Sequence, residues 1–482
     1  MSEFVNEKLT KKSLKNDKFQ ISQNDFLDES FYKSDEFEEL VKKSGLSRRD
    51  ALKLMGLAAL FLVSSPTTAK AMGPKIDAKG LNFVIAGGGA GGCTVANFIS
   101  KNINNAKITI IEPNPQSVSY QPGQSLIGGG VWTKDQIVKN SKNFFPKEAT
   151  WLQESVVEFD PQNNSLTTDK NKKISYDYLI IATGLVLHYD KIDGLNKNMV
   201  GQNGISSIYF ADGAVKTWDL MREFINNAKN KKESKALFTQ PRGAIKCGGA
   251  PKKIAFLTAA RLKEAKTSAN IDFYAVSGNF FGNEIYNEVT KKYFQARNMN
   301  YHFKNELISI DRAAKIATFR NEAGNSYDEK YDFIHIVPPM SAPQVLMDSD
   351  LALKEGKSKG YADTNQYTMQ HNKFKNVFCI GDSSSVPTSK TGAAIREQYK
   401  VLGENLISQI KGEELKAKYN GYTACPLITD LGKVMMAEFK YNNELAPTLG
   451  FLDPSKERWF WWFVKVYILK PMYFYGMLKA RA

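Results

Sequence analysis

The segment Leu81-Asn82-Phe83-Val84-Ile85-Ala86 runs directly into Gly87-Gly88-Gly89-Ala90-Gly91-Gly92 and then into a helical pattern from Cys93 to Ser100. No other stretch constrains the fold so tightly. A continuous apolar run of this length reads as a strand buried on both faces of a parallel sheet. GxGxxG is informative only between a strand and a helix, and here it has both. Gly87 makes the tight turn, Gly89 lets backbone N–H groups approach a pyrophosphate, and Gly92 permits close helix–strand contact, with the helix N-terminus facing the phosphates. A second strand, Lys107–Ile111, ends at Glu112, 23 residues beyond Gly89, where a carboxylate can accept from a ribose hydroxyl. The reading is a dinucleotide-binding α/β domain.

With 482 residues the chain has room for a second α/β domain. Strand-like runs at Ala236–Thr239, Lys253–Leu257 and Asn270–Val276 place it at about 191–345. Where a nicotinamide-binding domain would repeat GxGxxG after its first strand, this chain has Ile245-Lys246-Cys247-Gly248-Gly249-Ala250-Pro251. The domain shape is therefore expected without nicotinamide binding.

Residues 1–71 are read as an N-terminal extension with a signal peptide. Ser47-Arg48-Arg49-Asp50-Ala51-Leu52-Lys53 has the form of a twin-arginine motif, an apolar run spans Leu54–Val63, and Ala69-Lys70-Ala71 has the A-x-A form of a cleavage site. The apolar run is shorter than the roughly 20 residues a spanning helix needs. Export of the folded protein to the periplasmic side of the inner membrane is the expectation. The extension carries only one of the fifteen net positive charges, so the basic character belongs to the body of the protein. That charge suits an anionic membrane surface or an anionic substrate. No recognised module supports nucleic-acid binding.

Two further motifs identify the dinucleotide. Tyr178-Leu179-Ile180-Ile181-Ala182-Thr183-Gly184 and Val377-Phe378-Cys379-Ile380-Gly381-Asp382 resemble the ATG and GD elements of FAD-containing pyridine nucleotide-disulfide reductases. The resemblance implies two Rossmann-like domains of the glutathione reductase type, with the first completed by the chain's return. The divisions are then 80–190 and 346–430 for FAD, 191–345 for the second domain and 431–482 for a C-terminal region. Gly184 marks the crossing between domains, and Asp382 corresponds to the residue that binds the ribityl chain. Thr388-Ser389-Lys390-Thr391-Gly392-Ala393-Ala394, with Lys390 among the cofactor-binding candidates, opens a helix whose N-terminus would stabilise negative charge on a reduced flavin.

The segments around Cys247 (KCGGAPKK), Thr388 (TSKTGAA) and Cys425 (YTACPL) narrow the resemblance to the sulfide:quinone oxidoreductases, in the branch shared with mitochondria. Tyr120-Gln121-Pro122, Val337-Pro338-Pro339-Met340 and Ala437-Glu438-Phe439-Lys440-Tyr441 match as well, so the likeness extends over roughly residues 80–480. It implies that Cys247 and Cys425 are the redox pair. Hydrosulfide is a soft nucleophile that opens a disulfide by thiol exchange, leaving a persulfide on one sulfur and a thiolate on the other. In the family the persulfide forms on the residue matching Cys425, the thiolate matching Cys247 attacks the flavin, and a sulfur acceptor removes the outer sulfur. Lys246, Lys252 and Lys253 could lower the Cys247 pKa or form a solvated face. Cys93 and Cys379 read as small buried hydrophobes. None of the four histidines is assigned a role, and no metal site is expected.

Residues 455–479 are crowded with aromatics, interrupted by Lys465 and Lys470 and broken at Pro471. The pattern predicts two short amphipathic helices lying at a membrane surface, where a lipid-soluble quinone could reach the flavin. Phe439, Tyr441, Trp459 and Trp462 are candidates to line the quinone site. Homo-oligomerisation is left open. Two other readings stay open at this level: the flavin subunit of a flavocytochrome c sulfide dehydrogenase, and a non-catalytic FAD protein for docking or sensing.

Overall fold

A computed structural model describes Glu38, Ser47–Arg49, residues 75–231 and residues 233–481. Asp50, the Leu54–Val63 apolar run and the Ala69-Lys70-Ala71 site lie outside the described residues.

The first domain begins as the sequence dictates. Strand β1 (Asn82–Ala86) leads through the glycines to helix α1 (Ala90–Asn102), then to β2 (Lys107–Ile111), β3 (Thr150–Leu152) and β4 (Tyr178–Ile181). The chain then builds a second sheet from β5 (Ile205–Ser206), β6 (Lys235–Gln240), β7 (Asn270–Ala275), β8 (Met299–Phe303) and β9 (Phe333–His335). Helix α2 (Ala250–Glu264) joins β6 to β7. The chain returns to the first sheet as β10 (Val377–Cys379), and helix α3 (Gly392–Lys411) follows. Both sheets are parallel, ordered β10-β4-β1-β2-β3 and β5-β9-β6-β7-β8. Burial on both faces explains the apolar runs: Phe83, Val84, Ile85 and Ala86 are at most 1% exposed.

One sequence-level strand is wrong. Lys253–Leu257 lies inside α2 rather than in the sheet. A short apolar run buried on all sides has no periodicity to separate strand from helix. Here Pro251, in the first turn, and the helix-favouring Ala259-Ala260-Arg261-Leu262-Lys263-Glu264 that follows decide for the helix.

After α3 an antiparallel pair forms from β11 (Thr423–Asp430) and β12 (Lys433–Phe439), and Cys425 faces Ala437 across it. Helix α4 (Trp459–Phe463) opens the C-terminal segment. Instead of two helices separated at Pro471, one helical run continues to Met477, with π-type turns at Val464–Ile468 and Met472–Met477. Most of it packs on the protein itself, burying Phe463, Val464, Ile468, Phe474 and Met477. The Tyr473 ring lies 5.1 Å from that of Tyr120, and Phe474 lies 5.3 Å from Phe144. Lys465 and Lys470, read from sequence as interruptions, turn inward. Lys465 Nζ donates to the Pro122 carbonyl at 3.0 Å, and Lys470 Nζ sits 5.1 Å from the Trp132 ring centre. Phe451 and Trp459 stay outside, 78% and 52% exposed. No helix among the described residues is long and apolar enough to cross a membrane.

Candidate functional site

An open cleft of about 1340 Å³ lies over the C-terminal ends of β1 and β4. Gly89, Glu112, Gly184, Asp382 and Lys390 line it, and the glycine turn at its base leaves no room for side chains. A Cβ on Gly87 (φ +101°) would stand 2.3 Å from the Ala182 carbonyl oxygen, and one on Gly92 would stand 1.9 Å from the Gly87 carbonyl oxygen. Glu112 accepts from the Gly88 and Asn114 backbone N–H groups, both at 2.8 Å, which fixes its carboxylate at the end of β2. Asp382 is half-buried, and the loss of solvation raises its carboxyl pKa, while the Lys390 and Lys246 cations act in the opposite direction. Lys390 Nζ donates to the carbonyls of Asp382 (2.6 Å) and Ser384 (3.1 Å), and burial lowers its pKa to about 8. Thr391 caps α3, its hydroxyl accepting from Ala394 N–H at 3.1 Å, so the helix N-terminus opens into the cleft. The Thr183 and Tyr209 hydroxyls, both on the cleft wall, are buried without a protein partner. Backbone exposed by glycines, a helix N-terminus and orphaned hydroxyls are what a bound FAD requires.

Cys247 stands on the far wall of this cleft, just before α2. Its φ of +54° is a conformation that non-glycine residues rarely take. Two hydrogen bonds hold it there, Cys247 N–H to the Lys390 carbonyl and Ala250 N–H to the Cys247 carbonyl, each 2.8 Å. The pose brings its thiol into hydrogen-bonding contact with Cys425, 178 residues later in the chain. Gly249 makes the approach possible, since a Cβ there would lie 2.1 Å from Cys425 Sγ. The two sulfurs differ electrically. The hydrogen bond from Cys425, helped by the Lys253 and Lys465 cations and opposed by burial, pulls the Cys247 thiol well below its usual value. The same hydrogen bond, together with burial, pushes Cys425 well above it. Cys247 is thus the more acidic of the two thiols.

The lysines do not form a solvated face. Lys252 and Lys253 are each 1% exposed. Lys253 Nζ lies 3.4 Å from Cys247 Sγ. Lys252 Nζ donates to Gln240 Oε1 at 2.9 Å and to the Gly248 carbonyl at 2.7 Å, pinning the turn that carries Cys247. Lys246 lies nearer Asp382, whose charge partly offsets the loss of solvation that lowers the lysine to about 8. Lys465 was missed as a site residue. It is buried beside the pair, which lowers its pKa to about 7. The available signal was a lysine in an otherwise apolar helical run, a position rarely kept without a charge to meet. Cys93 and Cys379 are buried, and loss of solvent raises each thiol to about 12, which leaves both unreactive.

On the other side of the thiols a second, mostly apolar cavity of about 1010 Å³ opens. Cys247 and Lys253 line both cavities. The four aromatics proposed from sequence do not line the apolar one. Its walls include their neighbours Glu438, Phe460 and Trp461, together with Tyr422 and Met436. Strand alternation turns Phe439 away when Glu438 faces in. Tyr441 instead packs on Tyr419 (5.7 Å) and over Gly421. Trp459 stacks on Phe463 at the surface, and Trp462 lies on a different side of α4 from Trp461.

Residues 81–210 match the family model for pyridine nucleotide-disulphide oxidoreductases. The chain is 40% identical over 402 residues to the mitochondrial sulfide:quinone oxidoreductase of Dictyostelium discoideum, covering 83% of this chain and 86% of that one. It is 35% identical over 401 residues to the mitochondrial enzyme of Mus musculus, covering 82% and 86%. Among solved structures, the sulfide:quinone oxidoreductase of Aquifex aeolicus superposes with a TM-score of 0.63 at 21% identity, covering 74% of this chain and 83% of the other.

Proposed function

Because the chain belongs to the sulfide:quinone oxidoreductases, FAD-dependent enzymes that oxidise sulfide and reduce a quinone, we propose that Cys247 and Cys425 are its redox pair and that the apolar cavity receives the quinone. The observation that carries this reading is the contact of two unlike thiols between a cleft suited to FAD and an apolar chamber. In the oxidised pair, hydrosulfide attacks the Cys425 sulfur. A new S–S bond forms to the incoming sulfur, the Cys247–Cys425 bond breaks, and Cys247 leaves as a thiolate stabilised by Lys253. A nucleophilic acceptor then takes the outer sulfur and leaves both cysteines reduced. Bound FAD supplies the two-electron relay from this reduced pair to the quinone. The disulfide is restored, and the quinone gains two electrons and two protons to become the quinol.

Each supporting group has a defined part. Gly87 and Gly92 shape the turn that lets the Gly89 backbone hold the pyrophosphate, Glu112 binds the ribose, and Asp382 the ribityl chain. Lys390 and the α3 N-terminus favour charge on the reduced ring. Lys252 and the two backbone hydrogen bonds keep Cys247 in its strained pose.

Anaerobic mixing with sulfide tests the assignment. Prompt loss of the oxidised-flavin absorbance in the native protein is expected, followed by its recovery on adding a soluble quinone and no response from Cys247→Ser. Flavin that stays oxidised in the native protein would sink the reading, as would a variant that behaves normally.

We read the leader as a twin-arginine signal and the protein as periplasmic, attached to the membrane surface without crossing it. Support comes from the Arg48-Arg49 motif with its apolar run, and from the exposed Phe451 and Trp459 beside the C-terminal helix. The relatives in Dictyostelium and Mus are mitochondrial, so location is tested directly. Replacing Arg48 and Arg49 together by Lys should leave the protein in the cytoplasm, and unchanged fractionation would refute export.

A further inference from the structure

Quinone reduction consumes two protons. Away from the Lys253 and Lys465 cations beside the thiols, one wall of the mostly apolar cavity carries a carboxylate that could deliver them. Glu438, on β12, is 3% exposed, and its side chain faces this cavity. Its Oε1 accepts from the Tyr422 hydroxyl at 2.5 Å and also from the Thr448 hydroxyl, while Oε2 accepts from Thr448 N–H at 2.9 Å. The Tyr422 and Thr448 hydroxyls are themselves 3.2 Å apart. Tyr422 and Thr448 border the same cavity as Glu438 and Cys247. Tyr422 is buried, but Thr448 is only half-buried and lies beside the exposed Gly450-Phe451 tip. Oxygen atoms within hydrogen-bond reach therefore lead from near the surface to the cavity.

We propose that Glu438 and Tyr422 form the proton-delivery pair for the quinone, with Thr448 as the entry from solvent. The proposal rests on the apolar cavity being the quinone site. As the acceptor takes its two electrons, the Tyr422 O–H bond breaks and an O–H bond forms on the quinone oxygen. The Tyr422 oxygen regains its proton from Glu438, which relays one taken up through the Thr448 hydroxyl. The second proton follows the same route, giving the neutral quinol. Both oxygens of a carboxylate that only stiffened the 446–448 loop could face backbone donors. Here one faces a buried phenol on the cavity wall.

The other charged or titratable groups facing Glu438 are Arg396 on α3 and Tyr286, whose hydroxyl donates to the Glu438 carbonyl at 3.3 Å. Arg396 is paired with Glu397 at 3.1 Å and stands 6.0 Å from the Tyr422 ring centre. Arg396 also lines the cavity but is held in its pair with Glu397, and Tyr286 meets only the Glu438 backbone.

The test uses the FAD-loaded full chain with Glu438→Gln, Tyr422→Phe and Glu438→Asp. Flavin reduction by sulfide should keep its native rate, and so should reoxidation by ferricyanide, which takes electrons without protons. Reoxidation by a short-chain quinone should slow about 10²-fold in Glu438→Gln and Tyr422→Phe, and recover in part in Glu438→Asp. Quinone reoxidation within about threefold of native in both variants would overturn the proposal. So would equal loss with quinone and ferricyanide, which marks a structural role. Failure of sulfide to reduce the native flavin would strike the sulfide assignment alone.

Discussion

At the scale of the residue, the chemistry depends on how differently two cysteines can be held. Cys425, Lys253 and Lys465 hold the Cys247 thiol below its usual value, and the pH behaviour follows with a definite sign. Lys253→Met removes the nearest cation and so raises the Cys247 pKa, lowering its thiolate fraction. Sulfide-driven flavin reduction should slow at pH 7 and recover as pH rises, which stopped-flow traces across pH would show. A flat profile would mean that Lys253 only fills space. Gly249→Ala is a steric counterpart. Its φ and ψ of −86° and −11° suit alanine, so the penalty comes only from the methyl's 2.1 Å approach to Cys425 Sγ. Overpacking should cost about 1–3 kcal/mol in unfolding free energy and separate the sulfurs, with FAD still loaded and sulfide reduction of flavin lost. An active Gly249→Ala protein would show that thiol contact is not needed.

At the scale of the element, short motifs were legible where local geometry alone fixes them. The β1–glycine–α1 unit, β2 ending at Glu112, and the α3 N-terminus with Lys390 and Thr391 stand where the sequence put them, because each is a strand–turn or turn–helix unit a few residues long. Gly92→Ala should abolish FAD loading, visible as loss of the yellow chromophore, because its methyl would overlap the Gly87 carbonyl. A protein that still binds FAD would contradict the role given to this turn. Elements read by hydrophobicity alone fared worse. Lys253–Leu257 is as apolar as a strand but belongs to α2. The aromatic C-terminus suggested an interfacial pair of helices, yet the run continues through Pro471 and packs inward. Phe439, Trp459 and Trp462 missed the apolar cavity by one position, since which side of β12 or α4 faces inward is set by what packs against it, and Tyr441 lies beyond the end of β12.

At the scale of the whole molecule, fifteen net positive charges and two exposed aromatics bear on where the enzyme works. Binding to anionic vesicles should weaken as salt rises, and replacing Phe451 and Trp459 together by Ser should lower partitioning by at least about tenfold with soluble-quinone activity intact. Vesicle binding unaffected by either change would refute surface attachment through this face.

The sequence by itself determined the nucleotide fold, because glycine spacing and strand-ending acids are local consequences of backbone geometry, while the cofactor class and the proposed cysteine pair came from the resemblance of its motifs to a known family. Only the tertiary structure decided that Cys247 and Cys425 meet, that Lys253 and Lys465 face them, and that Glu438 reaches a cavity. These groups come from α2, β11, β12 and the C-terminal helix, and their charges act over a few ångströms that no spacing along the chain encodes.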